Sequence, residues 1–415
     1  AKSEYGVELD VCWHTLFGEM RRLDPEADEF ADLNLKLVHE LETDDDTFGV
    51  PDADRVPVFY NTYHRRLAAQ GIDFVKVDFQ GALYRMTYDE LGRAEAARRW
   101  QYALQDSVNA HFHGQMLNCM CLTSEHVYHT RDSNVSRASD DFYPDKADSH
   151  PNHLRQNAYN SLWLQHCVWP DWDMFHSRHA WGRYHAMARA VSGGPVYVSD
   201  KPGEHDMALL RRLVAADNRL LRADAPALPT RDLLFGDPEQ GGGLLKVFSR
   251  CGHMGLLALF HPQVEDRGTT TAEGVYAGLV EGLAGERFAV YSVTDGFLGV
   301  HGRDHVLERT LDPRGADILV FSPVRQGCAP VVLVQKYNPA AAVLGCERQA
   351  DALVVTARGG GLFGVSVEGR VRSVEIDGAP VAFDHTDTWL TADTGARAAC
   401  SIRIRLLPAT ATDNT

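Results

Sequence analysis

Long apolar runs are missing from this chain: each is cut by a charge or a glycine before the roughly 18–20 residues a spanning helix needs. A basic excess is missing too. Lys and Arg number 41 against 57 Asp and Glu, a formal net charge of −16. So acidic a chain offers no counterion-displacing face, and neither nucleic acid nor membrane is expected as a partner. Eight Cys in 415 residues are too few for a disulfide framework. They read as buried reduced thiols, which points to the cytoplasm and leaves the Asn134-Val-Ser136 sequon without use. The opening residues, AKSEYGVELD, lack the basic start and apolar stretch of a secretory signal.

Familiar chemical signatures are absent as well. There is no phosphate-cradling GxxxxGK[ST] and no GxSxG nucleophile elbow. His111-Phe-His113 sits in or just after a helix, and Cys119-Met-Cys121 reads as strand with both thiols on one face. Neither pair has partners at zinc spacing, so no metal and no cofactor is expected.

What is present is an ordinary globular balance, 44% hydrophobic and 24% charged, in a length that suggests two domains. Up to about residue 225, strand-like runs (Val7–Trp13, Phe74–Val77, Gln115–Leu122, Pro195–Val198) alternate with amphipathic helices (Arg55–Ala69, Tyr88–Asn109, His153–Gln165). This alternation predicts a parallel sheet, most commonly a (β/α) barrel. From residue 243 onward, eight β-rich runs between turn signals predict an antiparallel sandwich. They are Leu244–Phe248, Leu256–Phe260, Phe288–Thr294, Ile318–Phe321, Val331–Gln335, Ala352–Thr356, Val371–Ile376 and Cys400–Leu407. The expected division is a barrel over 1–227, a loop-rich linker over 228–242 ending at the flexible Gly241-Gly242-Gly243 run, and a sandwich over 243–415. Asp44-Asp45-Asp46 reads as a solvated loop.

Four segments carry candidate chemistry. In GIDFVKVDFQ (71–80), a short apolar strand delivers Lys76 and then Asp78 at its carboxyl end, the active-site end of a barrel strand. Two apart, they share a side, and a Lys keeps a neighbouring carboxylate ionised, as a nucleophile requires. A purely structural Lys–Asp pair is the competing reading. In RASDDF (137–142), Asp140 and Asp141 follow Arg137 by three and four residues. Adjacent carboxyls can split their pKa values, as acid/base work at a glycosidic bond demands; a helix cap at Ser139 or Asp140 competes. In WPDWDMF (169–175), Trp172 and Asp173 mix an aromatic face with a carboxylate, which suits a saccharide pocket or, equally, a buried aromatic corner. The fourth, GGPVYVSDKPG (193–203), ends an apolar run in Asp200-Lys201.

Together these segments resemble the raffinose synthase / seed imbibition protein (alkaline α-galactosidase) group of glycoside hydrolase family 36. The matching stretches are VCWHTLFGE (11–19), GIDFVKVDFQ (71–80), RASDDFYP (137–144), PDWDMFHS (170–177), VSGGPVYVSDKPGEHD (191–206) and LPTRDLLFGDP (228–238). They run in the family's order from about residue 5 to 260, and the β-rich tail matches its C-terminal sandwich. The resemblance implies a retaining double displacement on an α-galactoside or related oligosaccharide, with Asp78 as nucleophile. Asp140 or Asp141 is the implied acid/base, Asp141 preferred because its spacing from Arg137 is similar to that in family 27 α-galactosidases. It further implies that Lys76 and Arg137 hold galactose hydroxyls and that Trp13, Trp172 and Asp173 line the pocket. Retention requires the two carboxyls about 5–5.5 Å apart.

Some features depart from the family. The Trp13–His14 segment looks like the third barrel strand, so the family's N-terminal sandwich and first two strands are expected to be lacking. Leu117–Leu122 is degenerate, which puts a role for Cys119 in question, and Phe260-His261 replaces a usual Phe-Asn. Hydrolysis is the expected outcome, because the Leu16-to-Asp73 connection lacks the long insertion associated with the plant synthases. A galactosyltransferase acting on sucrose and an inactive saccharide-binding remnant remain rivals, and homo-oligomerisation stays open.

Overall fold

The computed structural model describes residues 11–39, 47–88, 91–264 and 269–407, and it divides the chain into two compact units. Residues 1–140 with 163–171 form one; 141–162 with 172–415 form the other. Val7–Asp10 of the expected first strand and the Asp44–Asp46 run lie outside the described residues.

The first unit is built on five parallel strands: β1 (Val11–Thr15), β2 (Phe74–Asp78), β3 (Met116–Asn118), β4 (Val135–Arg137) and β5 (Trp169–Asp171). They lie side by side in chain order, so β1 and β5 are the edges among the described residues. The α/β class is as expected, formed here as an open parallel sheet. Helix α1 (Val56–Ala69) connects β1 to β2, with Pro57 in its first turn, where no intrahelical donor is needed. Helix α2 (Arg93–Phe112) connects β2 to β3 and ends at His113 in the left-handed region (φ 54°). Phe59, Tyr60, Trp100, Leu104 and Phe112 from these helices share one core with Val75 and Val77 of β2. That packing takes one face of β2, and Lys76 stands between the two valines on the other.

Two expected elements are shortened. Gln115–Leu122 yields only the three residues of β3, because Met120 takes φ 46° and breaks the extension. Cys119 and Cys121 therefore share no strand face, although both are buried. The long helix starts at Arg93 rather than Tyr88, after a one-turn helix at Tyr84–Thr87 and Gly92.

The second unit includes residues 149–162 of helix α3 (Ser149–Leu164) and all of helix α4 (Gly182–Ser192). Gly193 stops α4 at φ +74°, and an added Cβ there would meet the Ala225 carbonyl oxygen at 2.5 Å, so only glycine fits. Pro195–Val198 is not a strand. It contributes a single parallel bridge, Phe175 to Val198.

Beyond lies a six-stranded antiparallel sheet that already includes Leu228–Pro229, inside the stretch expected as linker. Its central strands, Met254–Phe260 and Ala316–Pro323, are buried along their whole length. One face packs Leu256, Ala258 and Ile318 on Met187, Ala188 and Val191 of α4. The other packs Leu257, Leu259 and Leu319 on Val275 and Leu311 of a two-stranded ribbon. A four-stranded and a five-stranded sheet then enclose a common core of Phe363, Val365 and Leu390 against Val355, Ile376 and Ile402. This is the expected sandwich.

Candidate functional site

Register brings the polar residues of the first unit to one end of the sheet. Thr15 lies beside Asp78, Val77 beside Asn118, Asn118 beside Ser136, and Arg137 beside Asp171. Each parallel strand therefore finishes, at its carboxyl end, on or next to a polar or charged group. In α/β proteins this is the end where ligands bind.

Asp78 is 6% exposed. Its Oδ2 accepts a hydrogen bond from Trp13 Nε1 at 3.2 Å, and its Oδ1 accepts from the Phe79 backbone N–H at 2.7 Å. Phe79 takes φ 64°, an unusual conformation for a bulky residue, which turns the chain sharply after the carboxylate. Lys76 pairs in register with Trp13, and its ammonium stands 5.1 Å from the indole centroid. Trp13 remains half exposed, so one aromatic face is presented beside two buried charges. Arg137 is buried and donates from Nε to the Ser139 carbonyl at 3.1 Å.

Sequence reasoning undervalued Cys119 and missed Asn118, Gln80 and Asp171. The Cys119 thiol lies against Asp78. Burial chiefly pushes its pKa up, Arg137 and Lys76 pull it down, and Asp78 adds to the rise. One thiol thus feels three of the expected site residues. Asn118 accepts from Gln80 Nε2 at 3.0 Å and donates to Ser133 Oγ and the Val135 carbonyl, which ties β2 to the loop before β4. A carboxamide finishing a three-residue strand leaves no periodic signal; register alone reveals it.

The segment expected to supply the acid/base straddles the division between the units, with Asp140 in the first and Asp141 in the second. No helix begins at residues 139–143, so the cap reading falls away. Asp140 is exposed and its carbonyl accepts from Ser139 Oγ, whereas Asp141 is half-buried. Within the second unit, Trp172 has no exposed surface, and its indole N–H donates to Ser161 Oγ at 3.3 Å. Asp173, equally buried at φ 67°, accepts the Phe142 N–H at Oδ2 (3.0 Å) and the Tyr197 hydroxyl at Oδ1 (3.2 Å). Both have the geometry of the buried aromatic corner. Asp200 binds the Ser177 N–H and hydroxyl and faces His205; burial works against its ionisation, but these bonds win and lower its pKa.

A separate cavity of about 570 Å³ opens beside Trp13 in the first unit, lined also by His14, Glu19, Arg22, Tyr63 and Arg66, but not by Lys76 or Asp78. Its closeness to Trp13 does not make it the place where a bond is cut. Among the described residues no cluster of His, Cys, Asp or Glu is arranged to hold a metal, and no helix is long and apolar enough to cross a membrane. All eight cysteines are unpaired.

Residues 13–272 match the family described as raffinose synthase or seed imbibition protein Sip1. The chain is 33% identical to "Probable galactinol–sucrose galactosyltransferase 6" of Arabidopsis thaliana, covering 93% of this chain and 57% of that one. It is likewise 33% identical to a galactinol–sucrose galactosyltransferase of Oryza sativa subsp. japonica, over 93% and 56%. The chain thus spans about half the length of the curated relatives it matches. A GH27 β-L-arabinopyranosidase from Geobacillus stearothermophilus superposes with a TM-score of 0.49 at 16% identity, over 67% of this chain and 65% of that one. With 260 consecutive residues matched and a third of positions shared with plant relatives across nearly its whole length, the chain belongs to the raffinose synthase or seed imbibition protein Sip1 family.

Proposed function

We propose that this protein transfers an α-galactosyl group with retention, through a covalent glycosyl-Asp78 intermediate, and that a sugar hydroxyl is the preferred acceptor. The observation that carries this reading is Asp78 at a strand end, buried beside Lys76 and capped by the half-exposed Trp13. A carboxylate kept there against its burial cost needs a reason, and attack on an anomeric carbon supplies one.

In the first half-reaction the Asp78 carboxylate bonds to C1 as the C1–O glycosidic bond breaks. Asp141, preferred over exposed Asp140, gives its proton to the departing oxygen. In the second, Asp141 takes the proton of the incoming hydroxyl as its oxygen bonds to C1 and Asp78 leaves. Lys76, Arg137 and Trp13 hold the galactosyl ring, whereas Trp172 and Asp173, buried and bonded within the second unit, are given no sugar contact. Residues 1–227 carry this chemistry, and residues 243–415 support it.

The names of the relatives favour transfer over hydrolysis, reversing the expectation drawn from the short Leu16-to-Asp73 connection. That short connection is the one feature that still speaks for a hydrolase. Incubating the protein with an activated α-galactoside, with and without sucrose, separates the two. Transfer predicts a galactosylated sucrose at the expense of free galactose. Free galactose in equal amount under both conditions supports hydrolysis, and no turnover above Asp78→Ala supports an inactive binding remnant.

A further inference from the structure

The second unit contains a buried chain of basic side chains that the proposed reaction does not use. Arg189, on α4 and without exposed surface, is surrounded by polar partners. Its Nε meets the Asp173 carbonyl at 3.1 Å, and its two terminal nitrogens meet His185 Nδ1 (2.7 Å), His153 Nε2 (3.2 Å) and the Met174 carbonyl (3.0 Å). Beyond it, His185 Nε2 lies 2.8 Å from His150 Nδ1, and His150 Nε2 lies 3.1 Å from the Pro144 carbonyl.

Hydrogen-bond directions follow from chemistry alone. A guanidinium only donates, so His185 must accept at Nδ1 and carry its proton at Nε2. His150 must then accept at Nδ1, leaving its Nε2–H for the Pro144 carbonyl, which can only accept. Both rings are therefore neutral and each tautomer is fixed. Burial, then the Arg189 charge and the neighbouring His side chains, hold His185 far from protonation.

We infer that Arg189, His185 and His150 form a one-directional relay that positions the loop carrying Asp141. The loop is gripped twice. The His150 Nε2–H holds the Pro144 carbonyl three residues after Asp141, and Asp173, its own carbonyl fixed by Arg189, holds the Phe142 N–H one residue after it. Between these grips the Phe142 ring is buried, with the rings of His150, His153, His176 and His185 packed around it at 5.0–6.2 Å. The relay touches no substrate. It acts through the acid/base, so it rests on the assignment of Asp141 to that role.

Kinetics with two donors test the positioning. A p-nitrophenolate leaves without a proton, whereas the alcohol of methyl α-galactoside needs one. In His150→Gln and Arg189→Lys, kcat/KM for methyl α-galactoside should fall about 100-fold, within the usual range for general-acid assistance, with less than about fivefold lost on the p-nitrophenyl donor. Equal losses on both donors would make the relay merely structural and overturn the inference. Two measurements are independent of turnover. Imidazole nitrogen NMR of the unmodified protein should show both His150 and His185 protonated at Nε2 only, and hydrogen exchange at the Phe142 amide should quicken at least tenfold in Arg189→Lys. A proton on Nδ1 of either ring, or unchanged exchange, overturns the relay. If the unmodified protein cleaves neither donor, the proposed function fails instead, and NMR and exchange still judge the relay.

Discussion

Asp78 and Asp317 are both nearly inaccessible aspartates in β-strands, one in each unit, yet their surroundings differ in kind. Asp317 lies in the six-stranded antiparallel sheet and is saturated. Its carboxylate accepts from Ser292 Oγ, from the Thr294 and Ile318 backbone N–H groups, and from Arg309. Asp78 ends a parallel strand, accepts from Trp13 and Phe79, and has a half-exposed indole beside it. A carboxylate whose lone pairs are all spent inside the fold has no capacity left for a substrate. The contrast sets a saturated structural acid apart from one whose surroundings fit the nucleophile proposed at Asp78.

The largest expected effect comes from exchanging the two acids for their amides. Asp78→Asn should lower turnover of an activated α-galactoside by about 10⁴-fold or more, since the proposed nucleophile is lost. Its melting temperature should stay close to that of the parent. Asp317→Asn should do the reverse. Leaving a buried ion pair half-made costs about 3–5 kcal/mol, so thermal unfolding should begin several degrees lower while kcat of the folded fraction holds. If Asp317→Asn cost as much activity as Asp78→Asn at full folding, the distinction between the two would collapse.

A smaller effect concerns what the units share, buried neutral histidines. Burial lowers the pKa of His126 in the first unit and His150 in the second to about 4, and that of His64 to about 3. The folded state disfavours their protonation while the unfolded chain accepts protons near the ordinary value of about 6.5. Stability is therefore complete above pH 6.5 and is lost progressively as pH falls towards 4. For well-buried His126 the total approaches about 3 kcal/mol. Chemical denaturation at pH 7 and pH 5 should show this decline, and His126→Gln should flatten part of it. A curve unchanged by that substitution would assign the decline to other groups.

These contrasts also mark where the sequence could be read. Lys76 and Asp78 were visible because a continuous apolar run led up to them, and the long buried strands Met254–Phe260 and Ala316–Pro323 announced themselves likewise. Met116–Asn118, Val135–Arg137 and Trp169–Asp171 are three residues each, too short for any period to register, and their neighbours were decided by tertiary pairing. Pro195–Val198 failed in the opposite sense. Its apolar pattern is that of a strand, yet it forms only one bridge. Trp172 and Asp173 could not be sorted from composition, because a sugar wall and a buried corner use the same side chains. Burial and hydrogen-bond partners separate them, and neither is local in sequence.

Trp13 offers the smallest and most specific test of the Asp78 environment. Its indole does two things at once: it donates to Asp78 Oδ2 and presents a ring to the Lys76 ammonium. Trp13→Phe keeps a ring and removes the donor. Losing the bond that orients Asp78 costs about 1 kcal/mol in alignment, so kcat/KM should fall roughly fivefold. The sign of the kcat change carries the mechanism. The bond stabilises the charged carboxylate and must weaken as Asp78 transfers its electrons to the anomeric carbon, so it opposes the attack. With the donor gone, Asp78 is a stronger nucleophile but less well oriented. A loss carried by a higher KM, with kcat unchanged or raised, therefore identifies the indole as a sugar-facing wall. An equal fall in kcat on the activated donor identifies it as the group that aims Asp78. Asp317, held by four donors, has no counterpart to this trade, and weakening any one of them should register only in the melting temperature.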